Sequence, residues 1–144
     1  MTDARANRLD EIIASHSRRE GPLLPILHDI QAEFGCVDEA AKRQIAAALN
    51  LSRAEVHGVV SFYHDFKAEP AHKPVLKLCR AEACKARGVE GIVADAEAAA
   101  GDRVEIETIY CLGLCSVGPN AMVGKKLHAR LDAPKLAQII REMA

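Results

Sequence analysis

Up to residue 70 the apolar positions repeat with helical spacing, and from residue 75 they change to short strands mixed with helices. Leu9, Ile12, Ile13 and His16 fall at i, i+3, i+4 and i+7, one face of a first helix that Gly21 ends. Pro22 or Pro25 opens a second helix at a place where a missing N–H does no harm. Its stripe is Leu23, Leu27, Ile30 and Phe34, and Gly35 caps its end. Asp38 is the expected N-cap of a third helix carrying Ile45, Ala48 and Leu49. Ser52 and Glu55 form a capping box for a fourth helix, and Leu51 staples onto Val56 across it. Val56, Val59, Val60 and Tyr63 are its expected buried face, and Lys67 to Pro74 reads as a connector.

Val75 to Leu78 is a short strand that runs directly into Cys79. Gly91 to Ala100 reads as a helix stopped by Gly101 and Asp102. Arg103 to Tyr110 alternates, with Val104, Ile106, Thr108 and Tyr110 on one face, and this strand ends at Cys111. Ala121–Val123 and Leu127–Ala129 flank Gly124-Lys125-Lys126 as a hairpin, and Ala133 to Met143 closes the chain as a helix with Leu136, Ile139 and Ile140 apolar. The order strand, helix, strand, hairpin, helix makes a small α/β unit behind an N-terminal helical region. Both cysteine pairs follow strand ends, where such folds usually place ligands.

Composition narrows the function classes. The 144 residues are 49% apolar and 27% charged, which excludes a disordered chain, and the net charge of -1 gives no footprint for nucleic acid or an anionic membrane. The apolar runs are too short to span a bilayer, and the opening MTDARANRLDE lacks the apolar stretch of a secretory signal. The expectation is a cytoplasmic protein with no membrane insertion. In a reducing compartment, paired cysteines point to metal or redox chemistry rather than structural disulfides.

Cys79 and Cys84 have four residues between them, Cys111 and Cys115 have three, and Cys36 stands alone. Four thiolates from two strand ends can converge on one inorganic centre. Structural zinc favours knuckles with two intervening residues, whereas a dinuclear iron–sulfur cluster is larger and needs two thiolates for each iron. The wide spacings favour [2Fe–2S] and leave zinc open.

The run CRAEAC at Cys79–Cys84, followed by CLGLCSVGP at Cys111–Pro119, resembles the 24 kDa subunit family of respiratory complex I. The likeness extends through LLPILHDIQAEFG at Leu23–Gly35 and LNLSRAEVHGVVSFYHDF at Leu49–Phe66. The CRAEAC loop and the SRAEVHGVVSFYHDF stretch look most like the gamma subunit of cytoplasmic NAD-dependent molybdenum formate dehydrogenases, with the related subunit of NAD-reducing hydrogenases close behind. The resemblance implies a thioredoxin-like [2Fe–2S] ferredoxin domain at residues 75–144 behind an N-terminal helical region; residues 1–72, with no metal-ligand spacing and no catalytic constellation, are expected to be a docking region, the alternative being helices that pack on the ferredoxin half and shield the cluster. It implies one [2Fe–2S] cluster held by Cys79, Cys84, Cys111 and Cys115, with Cys36 outside the motif. It further implies a flavin- and NAD-binding beta subunit and a molybdenum-containing alpha subunit as partners, with FMN and NAD in the partner rather than in this chain. The chain is then an electron-transfer subunit, and Phe62 and Phe66 are expected among its partner contacts.

The residues weigh against other functions. No nucleophile motif and no phosphate-binding glycine loop occurs, so no substrate or NAD site is expected. Ile45 to Tyr63 also reads as a helix-turn-helix, which makes an iron–sulfur regulator a remote alternative. The helical half is net acidic, however, and a recognition helix needs positive charge. Thiol–disulfide oxidoreductases use two residues between their cysteines, a spacing absent here. Gly113 and Gly118 are open to two readings: ordinary turns, or positions where backbone N–H groups approach a cluster.

Overall fold

Several helices of the first half have a start or a stop written into the sequence. The structure, a computed structural model, describes residues 2–143. The helices are α1 (Thr2–His16), α2 (Leu23–Phe34), α3 (Glu39–Leu49) and α4 (Arg53–Phe62). Gly35 ends α2 with φ +72°, a left-handed conformation that glycine adopts without a Cβ clash, and donates to the Gln31 carbonyl. Asp38 caps α3 by accepting from the Ala41 N–H at 2.9 Å, and Arg5 pairs with the same carboxylate. Burial works to raise that carboxyl, but the Ala41 N–H and the Arg5 guanidinium prevail and hold it below the usual range. Ser52 and Glu55 make both hydrogen bonds of the capping box at the start of α4.

Leu9, Ile12, Ile26, Leu27, Ile30, Ile45 and Val56 form the core of this unit, which spans Met1–Pro70. Two positions depart from the expected stripes. On α3 the buried residues are Ala41, Lys42, Ile45 and Ala46, while Ala48 is exposed and Leu49 only partly buried. Alanine carries too little apolar area for its place in a pattern to fix which face goes inside. Lys42 buries its stem and satisfies its ammonium by donating to Glu39 at 2.7 Å and to His57 Nδ1 at 3.3 Å. The second departure is Tyr63, which caps α4 in an extended conformation, leaves the helical phase and is exposed. Phe66, only 6% exposed, takes the core position instead, which removes it from the expected partner contacts.

The unit Ala71–Ala144 has a core of its own, with Leu76, Leu78, Val89, Ala121, Leu136 and Ile140 fully buried. Its elements are β1 (Val75–Cys79), α5 (Glu82–Ala86), a 3-10 turn (Val89–Ile92), α6 (Val93–Ala100), β2 (Glu105–Ile109), a 3-10 turn (Cys115–Val117), β3 (Ala121–Val123), β4 (Lys126–His128) and α7 (Ala133–Met143). The sheet order is β2-β1-β3-β4. β1 runs parallel to β2, from Val75 opposite Glu105 to Cys79 opposite Ile109, and antiparallel to β3. A parallel pair needs a long crossover, and α5 and α6 supply it. Val123 pairs with Lys126, so the hairpin turns through Gly124 and Lys125, with Gly124 at φ +57°.

The sequence pattern missed α5 and extended β2 too far. Tyr110 lies beyond the last paired residue of β2 and is exposed. β2 is an edge strand with little burial on either face, so alternation there is a weak guide to its limits. Among the described residues no helix is long and apolar enough to cross a membrane.

The capping box gives the first expectation. Replacing Ser52 by Ala removes the acceptor for the Glu55 N–H and should cost the helical unit about 1 kcal/mol. The urea midpoint of the transition followed by helical circular dichroism measures it, and the spectrum before unfolding should not change.

Candidate metal centre

The parallel pairing of β1 and β2 brings their carboxyl ends to one level. Cys79 closes β1, and Arg80 donates its N–H to the Ile109 carbonyl at 2.9 Å, locking the two ends together. Beyond Ile109 the chain reverses at Cys111, whose φ of +72° is left-handed, a conformation non-glycine residues adopt at a cost. That reversal aims the Cys111 N–H at the Cys79 sulfur, 3.2 Å away. Cys84 sits on α5, one turn after β1, and Cys115 begins the 3-10 turn that leads back to β3.

The four thiols are unequal. Cys79 and Cys84 are 1% and 2% exposed and belong to the core, whereas Cys111 and Cys115 are exposed. Burial works to raise the Cys79 thiol, but hydrogen bonds from the N–H groups of Ala81, Cys111 and Leu112 and from the Cys84 thiol overcome it and hold Cys79 below the usual range. Burial pushes the Cys84 thiol up, with the neighbouring Cys79 adding to it. Cys115 is raised chiefly by its contact with Cys111. The Cys111 and Cys115 sulfurs stand 3.6 Å apart, and the Gly113 N–H donates to Cys111 at 3.3 Å.

Three features test whether these residues fit a dinuclear cluster. Two thiolates about 2.3 Å from one tetrahedral metal stand about 3.7 Å apart, and the Cys111–Cys115 gap is close to that. All four candidate donors are cysteine sulfurs, soft ligands of the kind that iron–sulfur clusters take. Gly118 leaves a notch where a Cβ would lie 3.1 Å from the Cys84 sulfur and 3.2 Å from Arg87 Cδ. The residues fit the group. Gly118 is therefore a close-approach glycine, while Gly113, at φ +76° with open space around it, serves turn geometry and directs its N–H at sulfur.

The sequence pattern gave no notice of Asn120. It is buried, donates its amide to the Leu114 carbonyl at 2.8 Å and lies 3.7 Å from the Cys84 sulfur, while its backbone carbonyl accepts from the Cys79 N–H at 3.0 Å. One residue thus ties β1, α5 and the loop before Cys115. The available signal was a buriable amide directly after Gly118-Pro119. Cys36 lies in the helical unit, where burial raises its thiol.

Two cysteine pairs at neighbouring strand ends of a small α/β unit are a donor set suited to a thiolate-ligated metal or redox centre. The sequence pattern of the thioredoxin-like [2Fe-2S] ferredoxin family matches residues 9–144, and the chain belongs to that family, whose members bind one [2Fe–2S] cluster. It is similar to subunit HndA of the NADP-reducing hydrogenase of Solidesulfovibrio fructosivorans, 30% identical over 141 residues that cover 92% of this chain and 82% of that protein. It is also similar to an NADH-quinone oxidoreductase subunit of Rhizobium meliloti, 29% identical with 91% and 85% covered. The crystal structure of an NAD+-reducing [NiFe]-hydrogenase in the air-oxidised state matches with a TM-score of 0.70 at 25% identity. That match covers 84% of this chain and 22% of the hydrogenase chain, so this chain spans about a fifth of its length. The fold is thus thioredoxin-like α/β behind a helical region, as expected.

The two glycines give a paired expectation. Gly118→Ala drives a methyl group toward the Cys84 sulfur and should lower iron retention, read as iron per chain after gel filtration. Gly113→Ala meets open space and should retain iron, at a cost of roughly 1 kcal/mol in stability from its positive φ.

Proposed function

We propose that this chain is the one-electron carrier subunit of a cytoplasmic NAD-dependent molybdenum formate dehydrogenase, holding its [2Fe–2S] cluster through Cys79, Cys84, Cys111 and Cys115. The observation that carries the ligand set is the arrangement of the four sulfurs as two pairs at adjoining strand ends, one pair 3.6 Å apart. When bound, the cluster supplies reversible one-electron storage. The chain supplies a rigid frame from β1 and β2, N–H donors that stabilise charge on sulfur, and a core that keeps water from Cys79 and Cys84. Substrate and nicotinamide chemistry belongs to partner subunits: an FMN- and NAD-binding beta subunit and a molybdenum-containing alpha subunit.

The formate dehydrogenase assignment rests on the likeness of CRAEAC and SRAEVHGVVSFYHDF to that gamma subunit. The second reading is the equivalent subunit of an NAD-reducing hydrogenase or of complex I, and the named relatives favour it. Mass spectrometry of the proteins that co-purify with the chain decides between them: a molybdenum enzyme supports the first reading and a nickel–iron subunit the second.

The ligand set has its own expectations. Chain purified without oxygen should contain iron and acid-labile sulfide approaching two of each, and dithionite should produce a [2Fe–2S] paramagnetic signal absent from the oxidised form. Cys36→Ser should leave the signal intact and Cys111→Ser should abolish or strongly alter it. Stoichiometric zinc without sulfide, or loss of the signal in Cys36→Ser alone, overturns the ligand set.

The helical residues 1–72 are the docking region in this reading. Supporting it are a core separate from that of the cluster-bearing unit and Phe62, 75% exposed at the end of α4. A chain shortened to begin at Ala71 should keep its cluster spectrum and fail to co-purify with the flavin-containing subunit. Assembly of the shortened chain, or loss of its cluster, would make the helices scaffold instead.

A further inference from the structure

We propose that Cys111 and Cys115 are a site of reversible oxidation: a disulfide joins them while the chain carries no cluster, and a reductant must reopen it before a cluster enters. The disulfide stands on the geometry of the chain itself. Its effect on cluster loading rests on the proposed ligand set.

Distance and access together single out this pair. The two sulfurs are 3.6 Å apart and both residues are exposed, so an oxidant in solvent meets both at once. The reversal at Cys111, with φ +72°, folds the segment back so that residues four apart face each other. Cys84 also donates its thiol to Cys79, so access rather than distance separates the two pairs. Cys79, Cys84 and Cys36 are 1%, 2% and 5% exposed, which shields their sulfurs from the same reagent. A disulfide holds its sulfurs about 2.05 Å apart, so Cys111 and Cys115 must close by roughly 1.5 Å. The segment between them has room to move, since a Cβ at Gly113 would meet no atom within 4 Å.

Bridging and metal ligation exclude each other. A shared metal holds two thiolates about 3.7 Å apart, and in a disulfide neither sulfur remains a thiolate. The bridged chain keeps only Cys79 and Cys84 of the proposed ligands, whereas a dinuclear cluster needs two thiolates for each iron. Three residues rather than two separate the cysteines, which is not the spacing of an exchange enzyme. The bond therefore acts on the ligands of its own chain.

A peroxide supplies the oxidation. One sulfur attacks the O–O bond, which breaks to release a water and leaves a sulfenic acid on that cysteine. The second sulfur displaces the hydroxyl, which departs with the second thiol proton as another water. Two thiols and one hydrogen peroxide thus give one disulfide and two waters. The two electrons lost by sulfur reduce the peroxide oxygens, and a dithiol or phosphine reductant returns them.

The test uses the full chain, freed of metal by a chelator and reduced, then treated with hydrogen peroxide. Peptide mass spectrometry after blocking of the free thiols should find the Cys111–Cys115 bond, formed about tenfold or more faster than any bond to Cys79 or Cys84. Cys36→Ser should bridge like the unaltered chain, and Cys111→Ser should show no such bond. Offered ferrous iron and sulfide, the bridged chain should take up less than about a tenth of the iron taken by the reduced chain, and a phosphine reductant should restore uptake. Bonds to Cys79 or Cys84 at comparable rates, or sulfinic acids in place of the bond, overturn the oxidation site. Equal iron uptake by bridged and reduced chains overturns the block on loading. In that case Cys111→Ser locates the fault: normal loading of this variant sinks the ligand set, and failure to load leaves the ligand set standing. If the reduced chain itself takes up no iron, the ligand set falls, and the mapped bond alone decides the oxidation site.

Discussion

The register between β1 and β2 is the constraint on which the site depends. Cys79 lies opposite Ile109, so both strands end at one level and the next residues of each face the same space. A slip of one residue would turn Cys79 to the opposite face of the sheet and withdraw its sulfur from the Cys111 N–H. The parallel arrangement is held by the crossover through α5 and α6 and by packing of Leu76 and Leu78 in the core. Site geometry is thus a consequence of sheet packing rather than of the loops alone.

Within that frame the loops distribute hydrogen-bond donors unequally. A buried thiolate is costly unless donors reach it, and Cys79 receives three backbone N–H groups, fixed by the fold. Cys84 lacks that set and has the Asn120 amide at 3.7 Å, a longer and weaker contact. Cys111 accepts from Gly113, and its exposed position lets water share the work. The sulfurs therefore differ in what stabilises their charge: several backbone donors for Cys79, a long side-chain amide contact for Cys84, and one backbone donor plus solvent for Cys111. Asn120 matters here because it braces three segments that no strand pairing joins.

Much of this was legible in the sequence, and the exceptions have physical reasons. The capping box at Ser52 and the left-handed stop at Gly35 were readable because each depends on residues next to one another in the chain. The end of β1 at Cys79 was readable because an apolar run gives way abruptly to polar and small residues. Helix α5 was hidden, since five residues are too few to show a period, and Ala48 misled because alanine marks no face. Tyr63 and Phe66 exchanged roles because the chain leaves helical phase after Phe62, which no periodic pattern registers. The cysteine pairing was visible as spacing. Asn120 and the distinct environments of the four sulfurs emerged only once residues distant in sequence had been brought together.

Size explains why the site and the core are so closely merged. A unit running from Ala71 to Ala144 sits near the length at which a hydrophobic core alone gives limited stability. Here Cys79 and Cys84 are themselves core residues, packed with Leu76, Leu78, Val89 and Ala121. If Cys79 and Cys84 are cluster ligands as proposed, cluster binding would be coupled to folding, because these core donors are gathered only when the sheet is formed. The coupling acts in the other direction as well: a bound cluster ties the ends of β1 and β2 where sheet hydrogen bonds stop. The helical unit, of similar length, has its own apolar core and capped helices. On the proposed ligand set, metal ligation would add to packing in the second half, whereas the first half is held by packing and helix caps.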